Sequence, residues 1–458
     1  MKTRVQHIHF TGIGGIGMSG IAELLHNQGF KVQGSDAADS PNVARLRSLG
    51  INIDIGHAAK NLGDAQVVVV SSAIARNNPE LVEARNRNIP VIPRADMLSE
   101  LMRMKQGIAV AGSHGKTTIT SLIAHCMETA GIDPTYVIGG RLVATGNNAR
   151  LGQSPWLVAE ADESDGSFLR LTPMLAVISN IDPEHLDHYG DFSHLLEAFR
   201  QFADSVPFYG RIVLHHEHPN VSTVRAQLHK PVTTYGSSPQ ADYHLLSRQC
   251  DGAGQLIHVG TQEGELGEFR LAFPGRHNAE NALATIAVLR DIGVELDTIR
   301  EGLAGFGGIQ RRFQTTEIGK GSLVDDYAHH PKEIEATLAT ARECWADRDI
   351  RVIFQPHRFT RTRDLMNEFM GCFDLASEVA LLPVYAASEQ PIEGVSSEAL
   401  RDGMIARGHR QVQTCADLAA AKKLADSWLK AGDIVLLMGA GSIGGLAAEM
   451  RKSLGADK

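Results

Sequence analysis

The chain has 458 residues, with 44 Lys and Arg against 53 Asp and Glu, a formal net charge of −9, and a 43% hydrophobic content. That length suits about three domains of roughly 100–200 residues each, and the composition excludes a disordered chain. The acidic balance excludes a broad basic face for nucleic acid, so any anionic ligand must be held by local glycine loops and isolated Lys or Arg.

Five cysteines (Cys126, Cys250, Cys344, Cys372, Cys415), none paired as CxxC, argue against a disulfide framework or a cysteine zinc site and fit a reducing cytosol. No apolar run reaches 18 residues and the first ten residues carry no hydrophobic leader core. A cytoplasmic location without membrane contact is therefore expected. The 45 glycines beside 5% aromatic content point to many βα turns.

In chain order, Val5–Phe10 is a short apolar run leading into Gly12. Lys31–Val32 leads to Asp36, Val67–Val70 to Ser71 and Val91–Ile92 to Pro93. This βα alternation predicts a parallel, Rossmann-like sheet with helices on both faces. After a helix at Met97–Met104 a second unit opens with the strand Gly107–Ala111 and continues through Trp156–Ala159 and Leu175–Ile181. From about Tyr235 to Phe273, short alternating stretches with Gly-rich turns read as antiparallel strands, and a helix is expected over Asn278–Ile292. A third α/β unit has its apolar runs at Ser322–Val324, Ile350–Phe354, Val379–Pro383 and Ile434–Met438. The expected domains are 1–106, 107–318 and 319–458.

Gly12-Ile13-Gly14-Gly15-Ile16-Gly17 matches G-x-G-x-x-G between a strand and a helix, and Asp36 ends the next strand. Glycines there let a backbone approach a pyrophosphate at a helix N-terminus. The pattern also suits a dinucleotide-dependent oxidoreductase, or no more than a tight turn. Gly439, Gly441 and Gly444 repeat it after Ile434–Met438, where a structural turn is the preferred reading.

Gly112-Ser113-His114-Gly115-Lys116-Thr117 is more specific. It lies between a strand and the helix Thr118–Ala130, although Val110 stands where the usual loop has its first glycine. Backbone N–H groups there would hold phosphate oxygens, Lys116 would reach the β and γ phosphates, and the Thr117 hydroxyl would ligate Mg²⁺.

Polar groups cluster at the ends of later strands. Glu160, Asp162, Glu163 and Asp165 follow Trp156–Ala159, where a nucleotide-bound cation needs hard oxygen ligands; the alternative is a solvated acidic loop. Asp182, Glu184, His185, Asp187 and His188 follow Leu175–Ile181, and His185 could touch metal or phosphate. His215, His216 and His218 read as a surface loop. In the third unit, Asp325, Asp326, Tyr327, His329 and His330 follow a strand. His357, Arg358, Arg361 and Arg363 follow another and suggest an anion clamp rather than a basic surface turn; Arg311 and Arg312 form a weaker version.

Taken in order, Gly112–Thr117, Glu160–Asp165, Asn180–His188, Gly275–Asn281, Asp325–Pro331 and Pro356–Arg363 resemble the Mur ligases of peptidoglycan synthesis over nearly the whole chain. The glycine start and the two His- and Arg-rich segments resemble the branch that adds L-alanine to UDP-N-acetylmuramate. A branch adding a murein tripeptide is the alternative.

The resemblance implies a UDP-sugar-binding domain, a central P-loop ATPase domain with an added antiparallel part, and a C-terminal Rossmann-like domain. It implies ATP and Mg²⁺ as cofactors, an acyl-phosphate intermediate, and a monomer or homodimer. It further implies that Gly112, Ser113, His114, Gly115, Lys116, Thr117, Thr118, Asn278, Asn281, Arg312 and Asp326 bind ATP. Gly12, Gly14, Gly15, Gly17, Asp36, Ser71 and His357 would bind the UDP-sugar, and Thr117, Glu160 and His185 the metal. Lys116, His185, His329, Arg358 and Arg361 would carry the chemistry. Several Mur ligases hold a second metal through a carbamylated lysine, but this chain has no lysine between Lys116 and Lys230.

Overall fold

The computed structural model describes residues 4–71, 73–139, 149–251 and 254–453. Positions 1–3 and 454–458 of the expected outer domains lie outside that set. The backbone forms three α/β sheets.

The first sheet holds β1 (His7–Thr11), β2 (Lys31–Asp36), β3 (Asn52–Ile55), β4 (Val67–Val70) and β5 (Val91–Pro93), in the order β3-β2-β1-β4-β5. All neighbours are parallel. β-Branched runs such as Val67–Val70 suit strands covered on both faces. Two of the helices between them start where a side chain caps the first turn: Ser40 Oγ accepts from Val43 N, and Asn78 Oδ1 from Glu80 N.

The second sheet holds β6 (Gln106–Ala111), β7 (Thr135–Val137), β8 (Ala149–Arg150), β9 (Trp156–Glu160), β10 (Leu175–Ile178), β11 (Arg211–His215), β12 (Val232–Gly236), β13 (Tyr243–Asp251), β14 (Gly254–Thr261) and β15 (Gly264–Leu271). Their order is β15-β14-β13-β12-β11-β10-β6-β9-β7-β8. β6 lies between β9 and β10, so the loop after β6 opens at the middle of the strands' C-terminal edge.

The third sheet holds β16 (Gln314–Ile318), β17 (Gly321–Asp326), β18 (Ile350–Phe354), β19 (Glu378–Leu381), β20 (Val412–Thr414) and β21 (Ile434–Met438), in the order β16-β17-β21-β18-β19-β20. Only β16 runs antiparallel to its neighbour.

The chain packs as two compact units. One comprises Met1–Ser247, Ile257–Phe269 and Glu280–Gly307; the other comprises Arg248–Leu256, Arg270–Ala279 and Gly308–Lys458. In the first unit a single apolar core runs from Ile8 and Phe10 through Ala109 and Leu157 to Phe168, Phe199 and Phe202. In the second, two cores form on alternate residues of the third sheet. Val352 and Phe354 join Phe369 and Phe373, while Ile353 and Leu437 join Trp428 and Met450.

Several boundaries differ from the sequence expectation. The helix expected at Met97–Met104 starts at Arg94, directly after β5. The helix after the phosphate loop is Lys116–Thr129, so Lys116 and Thr117 belong to its first turn rather than to the loop. β12 runs parallel to β11, so the run expected to be antiparallel from Tyr235 begins with a parallel strand.

Candidate active site

In the first unit, β6 ends in a loop whose shape depends on Gly112 and Gly115, at φ +135° and +88°. Side chains rarely adopt such backbone. A Cβ on Gly112 would lie 2.1 Å from Ser179 Oγ, and one on Gly115 would lie 2.8 Å from Asn281 Oδ1. The residues after β10 hold this loop. Ser113 N donates to Asn180 O (3.2 Å), His114 N to Asn180 Oδ1 (2.7 Å), and Asn180 Nδ2 to His114 O (3.0 Å). Ser179 Oγ donates to His114 O at 2.6 Å, and Asp182 N to Ser113 Oγ at 2.9 Å. The His114 ring lies 3.5 Å from Asp182 and 3.4 Å from Glu184.

Lys116 Nζ donates to Gly112 O (2.5 Å) and to both oxygens of Glu163 (2.7 and 2.9 Å). Burial alone would lower its pKa; the charges of Glu163, Asp162 and Glu160 outweigh that and hold it above the ordinary lysine value. Thr117 is buried in the same helical turn, and Thr118 follows it half-exposed.

On the adjacent strand end, Glu160 Oε1 accepts from Gly139 N at 2.6 Å. Burial pushes the Asp162 carboxyl up, but Lys116, Ser164 and Arg94 together hold it below its ordinary value. His185 adopts φ +55°, unusual for a residue with a side chain, and its ring lies 4.0 Å from Glu163 and 3.7 Å from Glu184.

A cavity of about 280 Å³ is lined by Gly17, Arg94, Lys116, Glu160, Asp162 and Phe168 among others. Arg94 reaches Asp162 at 3.4 Å. A Cβ on Gly17 would lie 2.1 Å from the Arg94 guanidinium, so the last glycine of the first loop makes room for that cation. Gly17 and Lys116, in the helices that follow the two glycine loops, thus line one cavity.

The first glycine loop is tied to the ends of β2. Gly12 N and Ile13 N donate to Ser35 O at 2.8 and 3.0 Å, and Gly14 N donates to Asp36 Oδ2 at 2.8 Å. Gly15 precedes the helix Ile16–Asn27. Ser71 follows β4, with its hydroxyl 3.9 Å from where a Cβ on Gly12 would be.

The second unit gathers the remaining candidates. Asp326, at the end of β17, accepts from Phe313 N and Ala328 N, both at 2.7 Å. Burial raises its pKa to about 6 against the pull of Arg312 and these amides. The Arg312 guanidinium lies 5.4 Å from the centre of the Tyr327 ring. His329 Nδ1 lies 3.0 Å from Tyr327 O, and the His329 ring lies 6.2 Å from that of His357. His357 stacks on Tyr385 and shares Nδ1 with an Arg361 N–H at 3.3 Å.

Burial and the neighbouring Arg361 hold both imidazoles down to about 4, which leaves them neutral near pH 7; Arg358 adds to this at His357, while Glu333 works against it at His329. Arg358 sits at φ +70° with Glu389 4.0 Å away. In the same unit, Asn278 Nδ2 donates to Pro274 O at 2.6 Å. Asn281, which belongs to the first unit, lies three residues further along the helix Arg276–Asp291.

The second G-x-G-x-x-G has a packing explanation. A Cβ on Gly441 would lie 2.5 Å from Gln355 Oε1, and one on Gly444 would lie 2.3 Å from the Arg311 guanidinium carbon.

The loop reading of His215–His218 fits residues 216–218, which connect β11 to the helix Pro219–Arg225, and differs only at His215, which belongs to the strand. His215 ends β11, half-buried, with its ring 3.6 Å from Glu280 and 5.2 Å from the centre of the Tyr235 ring. His218 caps the next helix, 3.9 Å from Asp182. Sequence reasoning also missed Arg94. Its only signal was a charge directly after a short strand.

A glycine-shaped loop, a half-buried lysine, hard oxygen donors and an adjoining cavity form an arrangement suited to phosphoryl transfer. Comparison with known proteins agrees. Residues 7–106 match the Mur ligase family catalytic domain, 110–289 the Mur ligase middle domain, and 311–441 the Mur ligase glutamate ligase domain. A UDP-N-acetylmuramate–L-alanine ligase of Brucella ovis is 49% identical, over 99% of this chain and 98% of its own. The crystal structure of UDP-N-acetylmuramate-alanine ligase MurC from Thermotoga maritima superposes with TM-score 0.83 at 30% identity, covering 99% of this chain and 100% of that one. A murein peptide ligase from Psychrobacter arcticus gives TM-score 0.72 at 26% identity, over 98% and 99% of the two chains. The chain belongs to the Mur ligase family and is an ATP-dependent ligase. Among the described residues, no helix is long and apolar enough to cross a membrane.

Proposed function

We propose that this ligase joins L-alanine to the lactyl carboxylate of UDP-N-acetylmuramate at the expense of ATP. The observation that carries the reading is the shared cavity: Gly17 and Arg94 from the first sheet line it together with Lys116, Glu160 and Asp162 from the second. A carboxylate tethered to a nucleotide on the first loop would there face a phosphoryl group on the second. The relative from Brucella ovis supports the choice of amine.

A carboxylate is a poor acyl donor. One of its oxygens takes the γ-phosphoryl group of ATP, and ADP leaves. The amine of L-alanine then adds to the carbonyl carbon, and the tetrahedral intermediate expels phosphate. Lys116 meets the β and γ phosphates, held ready by acceptors on every side. Gly115, Thr117 and Thr118 supply N–H donors, and Gly112, Ser113 and His114 shape the loop around the phosphates, the amides of the last two being held by Asn180. Asn278 and Asn281 meet the adenine, Asp326 the ribose, and Arg312 the nucleotide. Gly12, Gly14, Gly15, Gly17, Asp36, Ser71 and His357 hold the UDP-sugar. Arg358 and Arg361 stabilise charge on the transferred group. Neutral His329 accepts a hydrogen bond, and His185 lies beside the acidic cluster.

The hydroxyl of Thr117, the carboxylate of Glu160 and the imidazole of His185 are a donor set that suits Mg²⁺. When bound, the ion neutralises phosphate charge. The proposed domains are 1–106 for the UDP-sugar, 107–318 for ATP and 319–458 as a C-terminal Rossmann-like domain, in a cytoplasmic monomer or homodimer.

The likeness to the Psychrobacter arcticus protein favours one competing reading, in which a murein tripeptide is the amine. A phosphate-release assay with ATP, UDP-N-acetylmuramate and a panel of amines separates them. Turnover with L-alanine is expected; turnover with the tripeptide and none with L-alanine would reverse the assignment.

A further inference from the structure

The first unit contains a buried carboxylate that the reaction does not use. Glu80, fully buried near the start of the helix Pro79–Asn86, receives donors from four places. Its Oε2 takes His9 Nε2 (3.0 Å), Thr11 Oγ1 (2.8 Å) and Ser35 Oγ (2.7 Å). Its Oε1 takes Asn61 Nδ2 (2.7 Å) and Ala58 N (3.4 Å).

Five donors on two oxygens suit an ionised carboxylate, which accepts only. A carboxamide in that place would aim an N–H at donors. The donors also share a location. Thr11 ends β1, Ser35 lies one residue before the end of β2, and Ala58 and Asn61 follow β3. This is the sheet edge from which the Gly12–Gly17 loop springs. Ser35 links the two layers: its hydroxyl donates to Glu80, and its carbonyl accepts the N–H groups of Gly12 and Ile13. Asp36, the next residue, accepts from Gly14 N. His57 Nδ1 meets Ser35 Oγ at 2.9 Å and carries the network toward solvent.

We propose that Glu80 is a positioning residue for the diphosphate end of the UDP-sugar, acting through Ser35, whose carbonyl ties down Gly12 and Ile13, to hold the Gly12–Gly17 loop in its binding shape. This rests on the reading of that loop as the UDP site. Losing the carboxylate frees the Ser35 hydroxyl, and the anchor that the Ser35 carbonyl gives Gly12 and Ile13 loosens with it. The ATP loop, on another sheet, keeps its own supports at Ser179 and Asn180.

The test is Glu80→Gln in the full chain, with UDP itself as the calorimetric probe and steady-state kinetics alongside. The expected result is a rise of about tenfold or more in the UDP dissociation constant and in KM for UDP-N-acetylmuramate, with KM for ATP and saturating kcat within about twofold of the parent. Ser35→Ala, which removes one donor and keeps the buried charge, should move the UDP constant in the same direction by about threefold and leave ATP alone. It serves as the readout if Glu80→Gln does not fold. Unchanged UDP affinity in a folded variant, or parallel rises for UDP and ATP, would overturn the proposal. A parent chain that does not bind UDP would overturn the reading of the loop, and the proposal with it.

Discussion

Lys116 Nζ lies within 3 Å of both carboxylate oxygens of Glu163 and 2.5 Å from the carbonyl of Gly112. The ammonium is thus fixed at the mouth of the phosphate loop by acceptors alone, and phosphate oxygens can replace them without a change in its charge. Replacing Lys116 by Ala should lower kcat by about 10²-fold or more, the usual scale for loss of a preorganised transition-state donor. UDP binding should persist within about twofold, because the first glycine loop rests on β1 and β2. Calorimetry with UDP and a phosphate-release assay check the two halves separately.

Gly112→Ala should raise KM for ATP by about tenfold or more, since the new methyl would sit 2.1 Å from Ser179 Oγ at φ +135°. Adding Ser179→Gly removes the clash and leaves the backbone strain, so rescue should be partial. Full rescue would show that sterics alone required the glycine.

The pKa of Asp326 is raised from 3.8 to about 6. Above that value it is ionised and can accept from ribose hydroxyls; below it one oxygen carries a proton. KM for ATP should therefore rise as pH falls through about 6. In Asp326→Asn that inflection should vanish, which a KM profile from pH 5 to 8 would reveal.

Three strand ends of the central sheet show what can be read from the chain alone. Gly112 stands directly after β6, Glu160 ends β9 and Asn180 lies two residues after β10, and strand ends next to glycine or acid are visible as patterns of residue type. Arg94, Glu80 and His215 were not visible in that way. Each acts across the fold: Arg94 reaches Asp162, sixty-eight positions away, and Glu80 reaches His9, seventy-one away. Such pairs are set by strand order, here β3-β2-β1-β4-β5, which no local periodicity encodes. Short strands such as β7, β8 and β20 were missed because two or three residues hold too little alternation to register.

Glu80 also makes a prediction about stability. Burial pushes its carboxyl up, but hydrogen bonds from His9, Ser35 and Asn61 outweigh this and hold its pKa near 2, below the ordinary 4.5. A depressed carboxyl stabilises the fold above the unfolded value, and that contribution is lost as pH falls from about 4.5 toward 2. Its full size at neutral pH is about 3 kcal/mol. The stability gap between the parent and Glu80→Gln in urea should narrow by about 2 kcal/mol between pH 7 and pH 3. A gap independent of pH would show that the ionised form is not the stabilising one.

The central claim is that ATP activates the lactyl carboxylate of UDP-N-acetylmuramate for attack by L-alanine. It is tested most directly by placing heavy oxygen in that carboxylate and following it by mass spectrometry. One labelled oxygen should appear in the released phosphate, in step with formation of the L-alanyl product and only when both substrates are present. Unlabelled phosphate accompanying the same product would contradict an acyl-phosphate route.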